Sequence, residues 1–409
     1  MATWMCRPVF AGMITTKYMH VAGICQLGSS VNTRRTTKVA ILATAIVMLW
    51  AGVSAAAPTQ SSAKWSTLRA KFEAMAQVDV VSAIAELREG SSVERFSAGT
   101  TELGGKVPAP AGGRYRAGSV TKTFVATVIL QLVGEGRMAL SDPVEHWLPG
   151  VLPNGQAVTI RDLLRHTSGV YDYTWDLLPS DDQVLGIRFT TFTARQLVDI
   201  ANAHGSQFTP GSQQQYSNTD YILLGMVIGK VTGRPYGEEI QRRIIGPLGL
   251  SGTSMPGTFP SIIGPHAHVY VGATGAVDAP PVDVTIMNPS MAGAAGEVIS
   301  TTSDLNRFFH TLTTGRLLRP TELQQMTDPA GFGFGLGVEI ATLDCGVRII
   351  GHGGGGPGFV GLAFTAADGS RQLSLTAAVW GENRDTLTTR VIGAQMQVLY
   401  AAFCPAAHA

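Results

Sequence analysis

The chain has 409 residues, of which 45% are hydrophobic and 14% charged, with a formal net charge of +1. That length exceeds a single small core and fits two intimately packed domains. There is no basic stripe and no basic cluster interleaved with aromatics, which argues against nucleic-acid binding.

The charge is unevenly placed. Residues 1–55 carry Arg7, Lys17, Arg34, Arg35 and Lys38 and no acid, so the remainder is net acidic. In "VNTRRTTKVAILATAIVMLWAGVSAAAPTQ" a basic flank leads into an apolar run, Val39–Gly52, followed by small residues. This is the layout of a secretory signal peptide, with cleavage expected after Ala55 or Ala57. The apolar run is shorter than the roughly 20 residues that span a bilayer as a helix. A leader over residues 1–57, export to the cell envelope or medium and no stable membrane span after cleavage are therefore expected, with an uncleaved N-terminal anchor as the alternative. Residues 1–30 precede the signal, and Val31 is a candidate initiator.

The exported part, 58–405, begins with a polar linker and "SSAKWSTLRAKFEAMAQV", an amphipathic helix. "VVSAIAELREG" and "SVERFSAGTTEL" predict a hairpin turning at Gly90. In "RAGSVTKTFVATVILQLVGEG" the residues Phe124, Val125, Val128, Ile129 and Leu132 recur at helical spacing, and Gly136 marks the stop. From about 141 to 316 the chain reads as helix and loop, with helices over Thr193–His204, Asp220–Thr232 and Ser303–Thr314. Strand patterns return in "GFGLGVEIATL", "VRIIGHGGG", "GFVGLAFTAADG" and "QLSLTAAVWG", and a last helix spans Thr386–Phe403. The order implies an α+β fold: an antiparallel sheet flanked by helices, with a helical subdomain inserted within it. Of four cysteines, Cys345 and Cys404 lie in the exported part. An oxidising compartment favours pairing them, with two buried free thiols as the alternative.

Three short patterns carry possible chemistry. Ser119-Val-Thr-Lys122 is an S-x-x-K pattern at the head of the apolar helix. Residues i and i+3 share a helix face, so the lysine amine can reach the hydroxyl. Serine needs such a base to act as a nucleophile, and lysine can be that base when burial lowers its pKa. The same pattern occurs at Ser61–Lys64, with no buried helix behind it. Tyr216-Ser-Asn218 offers a phenol that can relay a proton and an amide that can bind a carbonyl; its plain reading is a loop capping the following helix. His352-Gly-Gly354 sits in "VRIIGHGGGGPGFVG", where a histidine titrating near neutrality could supply charge or a proton. Glycines there allow close backbone approach. The stretch also fits G-x-G-x-x-G, but no helix follows it, which rules out a dinucleotide loop.

In the order S-x-x-K, Y-x-N, H-x-G, these elements resemble the serine β-lactamase and penicillin-binding protein family, in particular its class C and D-alanyl-D-alanine carboxypeptidase branch. "LLRHTSGVYDY", "YSNTDYILLGMVIGKVTG" and "AGEVISTTSDLNRFF" carry the same resemblance. It implies that Ser119 is acylated, Lys122 takes its proton, Tyr216 passes the proton to the leaving group and Asn218 holds the substrate amide. It also implies that His352 stands in for the third-motif lysine. Gly353, Gly354 and Gly355 would line the substrate, with the N–H groups of Ser119 and Gly355 as the oxyanion hole. His166, in "HTSG", is expected to be structural. The branch also has a disulfide where Cys345–Cys404 would fall. No metal or organic cofactor is implied. The expected substrate is a peptidoglycan stem peptide, with a β-lactam or small ester as alternatives, and a binding module without turnover is a further reading. Two departures bear on substrate. Where carboxypeptidases of this branch place a carboxylate-binding arginine, ungapped counting back from Cys345 puts Glu339. Where their third motif carries threonines, this chain has Gly353 and Gly355.

Overall fold

The computed structural model describes residues 65–272, 280–331, 333–380 and 384–404. The leader and the Ser61–Lys64 pattern lie outside the described residues. The main strands are β1 Val80–Glu89, β2 Ser92–Gly99, β7 Glu339–Thr342, β8 Arg348–Gly356, β9 Phe359–Ala366 and β10 Arg371–Val379. These six form one antiparallel sheet in the order β2-β1-β10-β9-β8-β7. Two further ribbons, unforeseen in the sequence, pair β3 Tyr115–Arg116 with β6 Ile299–Ser300 and β4 Tyr270–Val271 with β5 Val282–Asp283. Each of these strands is two residues long, too short to leave a period-2 pattern.

Strand alternation splits the sheet into two faces. Ala83, Ala85 and Leu87 of β1 point to one face with Leu373 and Leu375 of β10. They are covered there by α1 Ser66–Met75 and α7 Arg384–Phe403 through Leu68, Phe72, Val398 and Leu399. The other face receives α6 Thr302–Thr313, and beyond it the helical part of the chain. At its centre is α2 Thr121–Gly134, in which every residue from Thr121 to Leu130 is buried. A helix apolar on all sides must be enclosed; α2 lies against α4 Asn218–Thr232, and Phe124 stacks on Phe308 of α6 with ring centroids 3.9 Å apart.

"GFGLGVEIATL" forms a strand only from Glu339. Gly337 sets the chain against α2 instead: it has φ +77°, and a Cβ there would lie 2.4 Å from that of Ala126. Cys345 and Cys404 are bonded, with Cα atoms 5.9 Å apart, tying the β7–β8 turn to the end of α7. Among the described residues no helix is long and apolar enough to cross a membrane.

Candidate active site

Ser119 lies in a single 3-10 turn, Gly118–Val120, that feeds α2. The turn is locked from two directions. Ala117 donates its N–H to Val298 O at 2.8 Å, and the Thr121 hydroxyl bridges Gly118 O and the Val298 N–H. Gly118 has φ +55°, and a Cβ there would lie 2.7 Å from both N and O of Gly355. A Cβ on Gly354 would lie 2.0 Å from Ala117 O. The glycine run of β8 is thus pressed directly against the nucleophile turn, setting the backbone of Gly355 beside that of Ser119. An oxyanion hole made of two backbone N–H groups draws them from two such neighbouring segments.

Lys122 is fully buried in the first turn of α2. Its Nζ lies 3.0 Å from Ser119 Oγ, 2.8 Å from Asn218 Oδ1 and 2.7 Å from Ala295 O, the last on the short helix α5 Gly293–Gly296. Burial lowers its pKa to about 7, against the opposing pull of the Asp172 carboxyl. The two carbonyl oxygens can only accept. A neutral amine therefore donates to both and keeps its lone pair for the Ser119 O–H, which is the geometry of a general base.

Tyr216 reaches the same hydroxyl from the opposite side, O–H to Ser119 Oγ at 2.8 Å. The Lys122 amine lies 4.9 Å from the centre of its ring. Burial holds the phenol well above its ordinary pKa, so it stays protonated and available as a proton carrier. Asn218 does not cap its helix: the N-cap is Ser217, and no side chain caps the start. The Asn218 amide instead bridges Lys122 to Asp172, donating from Nδ2 to Asp172 Oδ2 at 2.9 Å. The sequence reading missed Asp172. Its position within "HTSGVYDY" was its one signal, since its role depends on contact with a residue 46 positions away.

His352 departs from expectation. It is buried, and its Nδ1–H donates to Gly353 O at 2.5 Å, leaving Nε2 without a partner among the described residues. The edge-on Phe334 ring and the Glu339 carboxyl, 3.5 Å from Nδ1, pack around it. Burial and the nearby Lys122 amine lower its pKa to about 3, so it carries no charge near neutrality. Glu339 is buried beside it and accepts the Gly353 N–H at 2.9 Å. Burial raises its pKa to about 8. The expected repulsion of a substrate carboxylate by Glu339 is corrected accordingly: the group is a neutral acid directed into the protein. The missing cation stands. Gly353 and Gly354 are buried in β8, and Gly355 is exposed.

Ser119, Lys122, Tyr216 and Asn218 thus converge from the starts of α2 and α4, and β8 closes the third side. The Beta-lactamase family profile matches residues 69–388. A D-stereospecific amidohydrolase from Streptomyces sp. is 40% identical, with a TM-score of 0.74 over 83% of this chain and 99% of that one. The D-amino acid amidase of Ochrobactrum anthropi SV3 is 27% identical, with a TM-score of 0.73 over 82% of this chain and 98% of that one. Penicillin-binding protein 4* of Bacillus subtilis is 28% identical over 300 residues, covering 69% of this chain and 65% of that protein, so the chain spans less than two thirds of that relative's length. The chain belongs to the beta-lactamase family, which has penicillin-binding protein homologues, and is a serine hydrolase.

Proposed function

We propose that the enzyme hydrolyses amides of D-amino acids, forming an acyl-enzyme on Ser119 and releasing an amine that carries no carboxylate. The observation carrying this reading is the third-motif strand. Its histidine is neutral, its glycines offer no hydroxyls, and a buried neutral Glu339 occupies the place of an arginine. A substrate with a free C-terminal carboxylate therefore finds no counter-charge on the His352–Gly356 stretch of this strand, and one ending in an amide needs none. The likeness to a D-stereospecific amidohydrolase over nearly all of that protein's length supports the same substrate class.

In the reaction, Ser119 Oγ attacks the amide carbonyl while Lys122 Nζ takes its proton. Tyr216 passes a proton to the departing nitrogen, and water then releases the D-amino acid from Ser119. The Ser119 and Gly355 N–H groups hold the oxyanion.

D-alanyl-D-alanine carboxypeptidase action is the second reading, supported by the penicillin-binding relative. Side-by-side turnover of D-phenylalanine amide, L-phenylalanine amide and a peptide ending in D-Ala-D-Ala separates the two. Release of ammonia from the D-amide alone supports the proposal; cleavage of the dipeptide terminus without the amide would replace it. We also propose that the enzyme works outside the cytoplasm, a reading supported by the Cys345–Cys404 pairing.

A further inference from the structure

His166 holds Tyr216 in three ways. Its carbonyl accepts the Gln215 N–H at 2.9 Å, and its Nδ1 lies 3.3 Å from the Ser217 N–H, so the amides on both sides of Tyr216 end on one residue. Its ring packs on the Tyr216 ring, with centroids 4.3 Å apart and planes tilted by 35°. Carbonyl and ring can face the same segment because His166 ends helix α3 Ile160–Arg165 in the left-handed conformation, at φ 61° and ψ 40°. Few non-glycine residues accept that backbone, and strain of this kind persists where the surroundings impose it.

The hydrogen bonds also favour one placement of the protons. A backbone N–H can only donate, so His166 Nδ1 accepts from Ser217. Asp220 Oδ2 lies 2.9 Å from the same Nδ1. With its one lone pair turned to Ser217, Nδ1 can share that lone pair with Asp220 only if Oδ2 carries a hydrogen; the other tautomer, Nδ1–H donating to an Asp220 carboxylate, gives up the Ser217 bond. Asp220 is fully buried, and its Oδ1 accepts the Ser168 hydroxyl. Burial favours the uncharged acid there. The imidazole proton then sits on Nε2, which is buried with no hydrogen-bond partner among the described residues, in a ring whose centroid lies 5.3 Å from that of Tyr221 and 5.2 Å from that of Phe334.

We propose that His166, held as its Nε2–H tautomer by a protonated Asp220, is the residue that positions Tyr216 for proton delivery to the leaving group. The proposal rests on serine acyl transfer with Tyr216 as proton carrier, and is independent of which amide or ester is the natural substrate. It separates His166 from a purely structural role because a misplaced Tyr216 harms only reactions whose leaving group must be protonated.

The test compares kcat/KM for methyl butyrate, a poor leaving group, and p-nitrophenyl butyrate, a good one, in the full enzyme. Tyr216→Phe sets the reference. His166→Gly relieves the left-handed backbone and removes the ring; it should lose about 100-fold on the methyl ester and less than about 10-fold on the nitrophenyl ester, the range general-acid assistance supplies. His166→Asn, which tolerates this backbone and keeps an acceptor for Ser217, should recover part of the selective loss. Asp220→Asn should stay within about threefold, because its amide N–H donates to Nδ1 as the neutral acid does; Asp220→Ala should not. Fluorophosphonate labelling of Ser119, read by intact mass, confirms that each variant keeps a working nucleophile. Equal losses on both esters, or Asp220→Asn behaving like Asp220→Ala, overturn the proposal. A selective loss in Tyr216→Phe without one in His166→Gly overturns the positioning role alone, and no selective loss in Tyr216→Phe overturns the proton-carrier reading with it. Should the variants not fold, 15N shifts of the wild-type ring decide: a proton on Nε2 supports the assignment, and one on Nδ1 overturns it.

Discussion

The Lys122 amine lies 3.0 Å from the Ser119 hydroxyl, and its other two directions are filled by oxygens that can only accept. The pair therefore works when Lys122 is neutral. With the amine's pKa lowered to about 7 by burial, kcat/KM should rise as pH increases through that value and then level off. Lys122→Ala should lower Ser119 acylation by about 100-fold or more, the lower end of what a general base contributes. Ser119→Ala should abolish covalent labelling altogether. A pH-independent rate between about 5 and 8 would remove Lys122 from the role of base.

Asp172 tunes that base from a distance. Its carboxyl holds Asn218 Nδ2, Asn218 Oδ1 holds Lys122, and its field raises the amine's pKa against the effect of burial. Asp172→Asn removes the field, so the acid limb of kcat/KM should move to lower pH. The plateau should fall as well, since the substituted amide has one acceptor oxygen where the Asp172 carboxylate receives Thr174 N–H, Thr174 O–H and Asn218 N–H. An unmoved limb would mean that Asp172 acts only on geometry.

The sequence carries the nucleophile and its base plainly, because both lie within one helical turn and the spacing alone sets their contact. Tyr216 and Asn218 are legible as a pattern but not as a network. Asp172 and Ala295 join them across gaps of 46 and 173 residues. The charge of His352 is misread from sequence for a related reason. Its burial is made by Phe334 and Glu339, which come from the loop and strand preceding β8, and nothing in "GHGGGG" reports that cover. The long strands and helices are legible from their periodicity. The β7 segment reads as too long because alternating glycines imitate a strand while serving close approach, Gly337 to α2 and Gly335 to the Met326 carbonyl.

Glu339 leaves a signature in stability. An acid with its pKa raised by burial to about 8 is protonated in the folded state at pH values where the unfolded chain, near 4.5, is already ionised. The folded state then binds more protons, so this contribution is complete below pH 4.5 and is lost as pH rises toward 8. Glu339→Gln keeps an oxygen for the Gly353 N–H and cannot ionise. The difference in Tm between variant and parent should grow in the variant's favour from about pH 5 to about pH 8. The lowered Lys122 pKa acts in the opposite direction but is common to both proteins. A constant difference across that range would show that Glu339 is ionised where it stands.

The disulfide joins residues 59 positions apart and closes a segment that includes β8, β9 and β10. Cys404→Ser should lower stability by roughly 2–5 kcal/mol, the usual effect of losing such a bond. Denaturant melts in oxidising and reducing buffer check it. Reduction should bring the parent to the level of the variant, and a parent insensitive to reduction would separate the effect of the serine from that of the bond.

Two adjacent glycines of β8 should respond differently to alanine, although the sequence makes them look equivalent. At Gly354 an added Cβ would lie 2.0 Å from Ala117 O, a backbone atom of the nucleophile turn that has no rotamer to change. The strand must retreat from Ser119 to make room, at a cost of about 1–3 kcal/mol and with the oxyanion hole pulled open. At Gly355 the nearest atoms are 3.4 and 3.6 Å away, ordinary contact, and the residue is exposed. Gly355→Ala should therefore fold and label with fluorophosphonate like the parent, while Gly354→Ala should label more slowly and melt at a lower temperature. Strand β8 serves catalysis through its backbone, so the space in front of Gly354, more than any side chain of the third motif, keeps it within reach of the acyl carbonyl. Equal behaviour of the two variants would show that the strand yields without consequence and that the oxyanion is held elsewhere.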